Sequence, residues 1–279
     1  MNMKKLATIA LAALTMTACT TKKAETPVEE APAQKTLVLY YSQTGTTQKV
    51  AEIFQQKLNA DAEVIELAEA FEGTYEETVA HFLKMNQEGK VTPVKPLNAN
   101  LDDYDVIVLG FPIWFGTYAA PIEGLLQSVD LTGKKIVAFA TFGSGGITET
   151  AAKLKEKGLD VIATYGVRQA LIETAEEGIN RVLVESGLIE GEVEALADYT
   201  ELQPATEEEQ AIFNEAIADY QMLAGTVATL CGGRTTATGT DFLFQAERTD
   251  KDGNKSEMKI LVTKPNAEGA KAFFTRVDR

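Results

Sequence analysis

The sequence predicts an α/β fold with a doubly wound parallel sheet, followed by a small α+β module. Three observations carry that expectation. Apolar, β-branched runs alternate with helical-period segments across residues 36–190, as buried parallel strands and crossover helices require. Beyond Thr226 the apolar period falls to two, the pattern of antiparallel strands with one wet face. Three early runs empty into loops rich in hydroxyl, aromatic or glycine residues, where an open α/β sheet collects ligands.

The chain begins with an address. Lys4 and Lys5 precede an apolar stretch, Leu6 to Ala13, too short to span a bilayer, and small residues lead to Cys19. The box Met16-Thr17-Ala18-Cys19 resembles the cleavage site of bacterial lipoprotein precursors, which implies a signal over residues 1–19 and lipidation at Cys19. Residues 20–35, rich in Thr, Glu, Ala and Pro, cannot form a core and are expected to be a flexible tether. The alternative is an ordinary secreted chain with a chance cysteine.

The formal charge is -15. Loss of Lys4 and Lys5 would bring it to about -17, which opposes binding to nucleic acid or bare anionic lipid. Cys231 is the only cysteine besides Cys19, so an internal disulfide framework is excluded and stability must come from apolar burial.

Thr36 to Tyr41 is the first buried strand, and Val50, Ile53, Phe54 and Leu58 mark the helix after it. Between them lies Ser42-Gln43-Thr44-Gly45-Thr46-Thr47. Unpaired N–H groups of a helix start converge there with four hydroxyls, and Gly45 lets the backbone come close. The loop holds no lysine, so one terminal phosphate suits it better than a triphosphate with magnesium. Alone, the loop fits a capped helix start as well as a phosphate site.

Ala62 to Leu67 is the second strand, and Phe71 to Gly89 is an amphipathic helix carrying His81, the only histidine. Without a second histidine or a nearby cysteine, neither a metal centre nor a catalytic dyad is expected at His81. Tyr104 to Gly110 is a third, central strand that empties into Phe111-Pro112-Ile113-Trp114-Phe115-Gly116-Thr117-Tyr118. Such a cluster either covers a flat partner or plugs the sheet edge. Lys134 to Ala140 ends in Thr141-Phe142-Gly143-Ser144-Gly145-Gly146, whose glycines expose backbone groups. A helix over Ile147 to Gly158, a fifth strand over Asp160 to Val167 and a helix over Ile172 to Ser186 complete the series.

Phosphate donors, aromatic side chains and exposed amides together suit a ligand with one phosphate and a broad polar ring. Flavin mononucleotide (FMN) is such a ligand, whereas the Gly-x-Gly-x-x-Gly of dinucleotide binding is absent. These loops are the candidate cofactor site: Ser42, Gln43, Thr44, Gly45, Thr46 and Thr47; Pro112, Ile113, Trp114, Phe115 and Gly116; Thr141, Phe142, Gly143, Ser144, Gly145 and Gly146.

Over Lys35 to Leu188 the sequence resembles the flavodoxins and flavodoxin-like quinone reductases, with all three loops in the family's order. The resemblance implies a five-stranded sheet in the order 2-1-3-4-5, bound FMN, and electron transfer or flavin-dependent reduction with a redox protein or small-molecule acceptor. The third loop lacks the stacking tyrosine and acidic run of many electron carriers, which leaves ring stacking to Trp114 or Phe142. The flavin would do the redox chemistry, so no catalytic acid, base or nucleophile is expected from the protein. Acidic surroundings disfavour an anionic reduced flavin, and a low-potential carrier or small reductase outside the cytoplasm, lipid-anchored to a bacterial membrane, is the expectation.

Residues 191–205 are acidic and are expected to link to a module over residues 206–279. Thr206 caps a helix with acids in its first turn and an apolar face of Ile212, Phe213, Ile217, Tyr220 and Leu223. Strands are expected at Thr238 to Arg248, Glu257 to Thr263 and Ala270 to Val277, with a short one at Thr226 to Leu230. Thr238 to Phe244 distantly resembles a strand signature of cystatin-like modules. Cys231-Gly232-Gly233-Arg234 is expected to be a buried thiol beside a flexible turn. The competing functional class is a non-redox binding or structural lipoprotein that keeps the sheet as a scaffold and works through this module.

Overall fold

The computed structural model describes residues 34–143, 146–193, 195–236, 239–250, 253–266 and 268–278. Cys19, with the expected signal and the tether up to residue 33, lies outside the described residues, as do Ser144 and Gly145. The first part runs β1 (Thr36–Tyr40), α1 (Thr46–Leu58), β2 (Asp61–Val64), α2 (Tyr75–Gln87), β3 (Val106–Trp114), β4 (Thr117–Tyr118), α3 (Ala120–Ser128), β5 (Lys135–Phe142), α4 (Thr148–Glu156), β6 (Asp160–Arg168) and α5 (Ala175–Glu185). Five of these strands form a parallel sheet in the order β2-β1-β3-β5-β6, and β4 folds back antiparallel on β3. That is the expected doubly wound order.

Strand alternation sorts the apolar side chains onto the two faces of the sheet. Val38, Val106, Val108, Val137 and Phe139 pack with Val50 and Phe54 of α1 and with Ile179 and Leu183 of α5. Leu37, Leu39, Ile107, Leu109, Ile136 and Ala138 face Phe82 of α2, Ile122 and Leu125 of α3, and Leu154 of α4. Within the first core Phe54 stacks on Phe139 with ring centroids 4.9 Å apart. The Phe139 ring occupies the place of a side chain at residue 110, because a Cβ on Gly110 would lie 2.0 Å from it.

Two early expectations change. The second strand stops at Val64, opposite Tyr40 where β1 ends, and Leu67 bridges Val94 instead. The aromatic segment after β3 is no free loop. The strand continues to Trp114 with Phe111 fully buried, and only Phe115 and Gly116 make the turn into β4.

The second part contains β7 (Gln203–Pro204), α6 (Glu207–Ile217), β8 (Thr226–Thr236), β9 (Gly239–Thr249), β10 (Lys255–Pro265) and β11 (Phe273–Asp278). These strands form a five-stranded sheet in the order β11-β10-β9-β8-β7, antiparallel throughout. Helix α6 starts with a capping box in which Thr206 and Glu209 satisfy each other's backbone N–H groups. It lays Phe213, Ala216 and Ile217 on Phe244, Ala246, Ile260 and Val262.

The Cys231 thiol is buried as expected, and burial pushes its pKa up to about 12, which leaves it unreactive at neutral pH. The expected turn beside it is absent: Cys231 to Arg234 lies inside β8. Glycine is needed at 232 for close approach, since a Cβ there would lie 2.4 Å from the Thr200 carbonyl oxygen. No helix among the described residues is long and apolar enough to cross a membrane.

The Gly110 gap leads to a stability test. G110A should cost about 1–3 kcal/mol through overpacking against Phe139, measured as a lower urea midpoint with an unchanged slope.

Candidate functional site

At the carboxyl end of β1, Tyr41 still pairs with the sheet, its N–H donating to the Gly110 carbonyl at 3.0 Å. The chain then bends, and Gly45 takes φ 83°, a left-handed conformation that favours glycine. Gly45 is the N-cap of α1 and brings no capping side chain, and the first turn of this 13-residue helix holds no acidic residue. The dipole end therefore has unsatisfied N–H groups and no resident negative charge, with open space over Gly45. Thr44 and Thr46 bring their hydroxyls within 3.2 Å of each other, and Ser42 Oγ accepts from the Gln48 N–H at 3.2 Å. Chemically, the arrangement suits an anion.

Two residues of the loop serve inside the protein. Thr47 is buried and its hydroxyl hydrogen-bonds that of Thr141 at 2.8 Å, joining the first loop to the end of β5. Gln43 accepts from the Tyr41 hydroxyl at 2.5 Å and donates to Thr78 of α2 at 3.5 Å. Burial pushes the Tyr41 phenol up to about 12, so it stays a neutral donor.

The aromatic segment splits into an anchor and a projecting ring. Trp114 is buried, stacked on Phe82 at 6.0 Å and set edge-on to Tyr41 at 5.8 Å. Pro112 accepts from the Ala119 N–H at 3.0 Å, which holds the hairpin, and Ile113 packs on the α2–α4 core. Phe115 is 66% exposed with φ 49°, and Gly116 follows at φ 75°. A bulky aromatic held left-handed costs about 1–3 kcal/mol, a strain that accompanies function more often than stability. Its flat face stands free for a planar partner.

On the third loop Thr141 is buried, and the Phe142 ring lies against Gly166, where a Cβ would sit 3.0 Å from it. Gly143 and Gly146 have open space where a side chain would be. The Gly143 carbonyl accepts from Arg168, a residue that sequence reasoning passed over. The available sign was positional, since Arg168 ends the strand registered beside Phe142. His81 stacks on Phe71 at 4.7 Å. A groove of about 500 Å³ borders the hairpin on its α2–α3 side, where Phe82, Trp114, Phe115 and Tyr118 line it. Among the described residues, none of the first or third loop does so.

A family profile described as flavodoxin matches residues 35–177, just over half of the chain, and the chain belongs to the flavodoxin family. Solved structures give matching neighbours. A Bacteroides eggerthii chain proposed to be a flavoprotein is 28% identical, over 55% of this chain and 98% of that one, with a TM-score of 0.48. A flavoprotein in complex with FMN from Lactobacillus acidophilus is 27% identical over 51% of this chain and 98% of that one, with a TM-score of 0.44. No curated protein matches the chain.

The geometry separates support from strain. In urea titrations T47V should lose about 1–3 kcal/mol, because it leaves the buried Thr141 hydroxyl without its partner. F115N should keep its stability or gain about 1 kcal/mol, because asparagine tolerates the left-handed turn and little burial is lost.

Proposed function

We propose that the flavodoxin domain binds FMN and acts in electron transfer or flavin-dependent reduction. The observation that carries this reading is the acid-free N-terminus of α1, whose N-cap Gly45 brings no side chain, with the hydroxyls of Ser42, Thr44 and Thr46 gathered beside it. A phosphate there would take hydrogen bonds from neutral donors and the helix dipole. The exposed Phe115 ring, which borders the groove on the α2–α3 side, offers an apolar face, and the open backbone of Gly143 and Gly146 offers donors and acceptors. When bound, the flavin supplies the redox chemistry. The residues named here bind and orient it, and they hold no acid, base or nucleophile that the chemistry would need.

We further propose the arrangement read from the sequence: a signal over 1–19, a tether over 20–35, the flavin domain over 36–190, a linker over 191–205 and the second module over 206–279, with the end of the linker, Gln203–Pro204, joining the module's sheet as β7. Lys4, Lys5 and the box ending in Cys19 support lipid anchoring to a bacterial membrane, outside the cytoplasm. The cystatin-like signature over Thr238 to Phe244 supports a docking role for the second module, toward a redox protein or another partner.

The chain from residue 20 onward, loaded with FMN and desalted, should keep the flavin's visible absorption bands. T44E and T46E should lose them, and F115N should bind FMN several-fold more weakly. A colourless parent protein would instead support a scaffold working through its second module. In cells, metabolic labelling with a radioactive fatty acid should mark the parent chain and fail with C19A. Equal labelling of both would sink the anchor.

A further inference from the structure

Arg168 stands where the two sheets meet. Its position beside Phe142 in the β5–β6 register brings the guanidinium to the third loop, where Nη2 donates to the Gly143 carbonyl. Nη1 donates to the Phe274 carbonyl of β11. The guanidinium carbon lies 5.3 Å from the Tyr220 ring centroid and 5.7 Å from that of Phe273. Tyr220 also directs its hydroxyl at the Gly143 carbonyl, at 3.5 Å. Behind β11, Glu215 of α6 accepts from the Ala272 N–H at 2.8 Å and from Lys264 at 3.3 Å, which fixes the start of that strand. The chain of contacts from α6 to the third loop is continuous.

Resting on the flavin reading, we propose that Arg168 couples the C-terminal module to the FMN site, so that docking of the module and binding of FMN strengthen each other. Gly143 and Gly146 give the third loop backbone freedom that a ligand would have to remove. A fork of charge-assisted bonds removes part of that freedom in advance. The guanidinium is partly desolvated and always charged, so losing either carbonyl leaves a costly unpaired donor. Linkage then makes the effect reciprocal: whatever the docked module adds to FMN affinity, FMN adds to docking. Arg168 is a positioning residue in this scheme.

The test uses the chain from residue 20 onward, with and without FMN. R168M should bind FMN about tenfold more weakly and alter the visible circular dichroism of the bound flavin. R168K keeps the charge but loses the planar fork, and should fall between, about threefold weaker than the parent. In the parent, FMN should slow amide exchange in Phe273 to Val277, and in R168M this protection should vanish. FMN affinity within twofold of the parent in R168M, with protection of β11 retained, would overturn the coupling alone. A parent that binds no FMN would overturn the flavin reading and the coupling with it. Should R168M fail to fold, R168K decides: parent-like affinity and protection would overturn the proposal.

Discussion

The stack of Phe54 on Phe139, seated in the gap left by Gly110, is the contact on which the rest depends. It ties α1 to the middle of the parallel sheet, across β3 and β5 at once. Both rings are fully buried, and burial of a phenylalanine side chain contributes about 1.5–3 kcal/mol. With α1 fixed in this way, its N-terminus has one place to be, beside the end of β5, where Thr47 meets Thr141. The geometry of the hydroxyl loop is therefore a result of core packing. The loop residues set its chemistry, and the phenylalanines set its address.

The fold of the first part was legible because its signals are local and dense. Val106 to Leu109 can hardly be anything but a central strand, and the hydroxyl loop before Val50 marks its own helix start. The hydroxyl loop was placed correctly at the start of α1, but its division of labour was not visible. Nothing in Ser42 to Thr47 says that Gln43 and Thr47 turn inward, because that depends on Thr78 and Thr141, which are distant in sequence. The aromatic cluster misled in a related way. Composition shows that four rings lie close together, but only the hairpin between β3 and β4 decides that Trp114 anchors while Phe115 projects. The role of Arg168 left only its place at the strand end as a sign, because both carbonyls it holds belong to other elements, one of them more than a hundred residues away.

In the second part the sequence misjudged the length of β8. Adjacent glycines look like a turn, yet Gly232 and Gly233 keep an extended backbone in pairing with β9. The requirement at Gly232 comes from the Thr200 carbonyl pressed against it, a tertiary contact with no local trace. The partner segment, acidic and weakly patterned, contributes β7 and a reciprocal pair of bonds: Thr200 N–H to the Gly233 carbonyl and Gly233 N–H to the Thr200 hydroxyl.

That closure has a consequence for strand addition between copies of this chain. A sheet edge with free backbone groups is a template on which a second chain can add a strand, and crowding raises the hazard. Here β7 covers β8 at Leu230 and Cys231, and Pro204 has no N–H to offer a newcomer. At the far side of the sheet the Phe274 carbonyl is already taken by Arg168. At Pro204 and at the Phe274 carbonyl, the two edges of the second sheet offer a second chain no free backbone group to pair with.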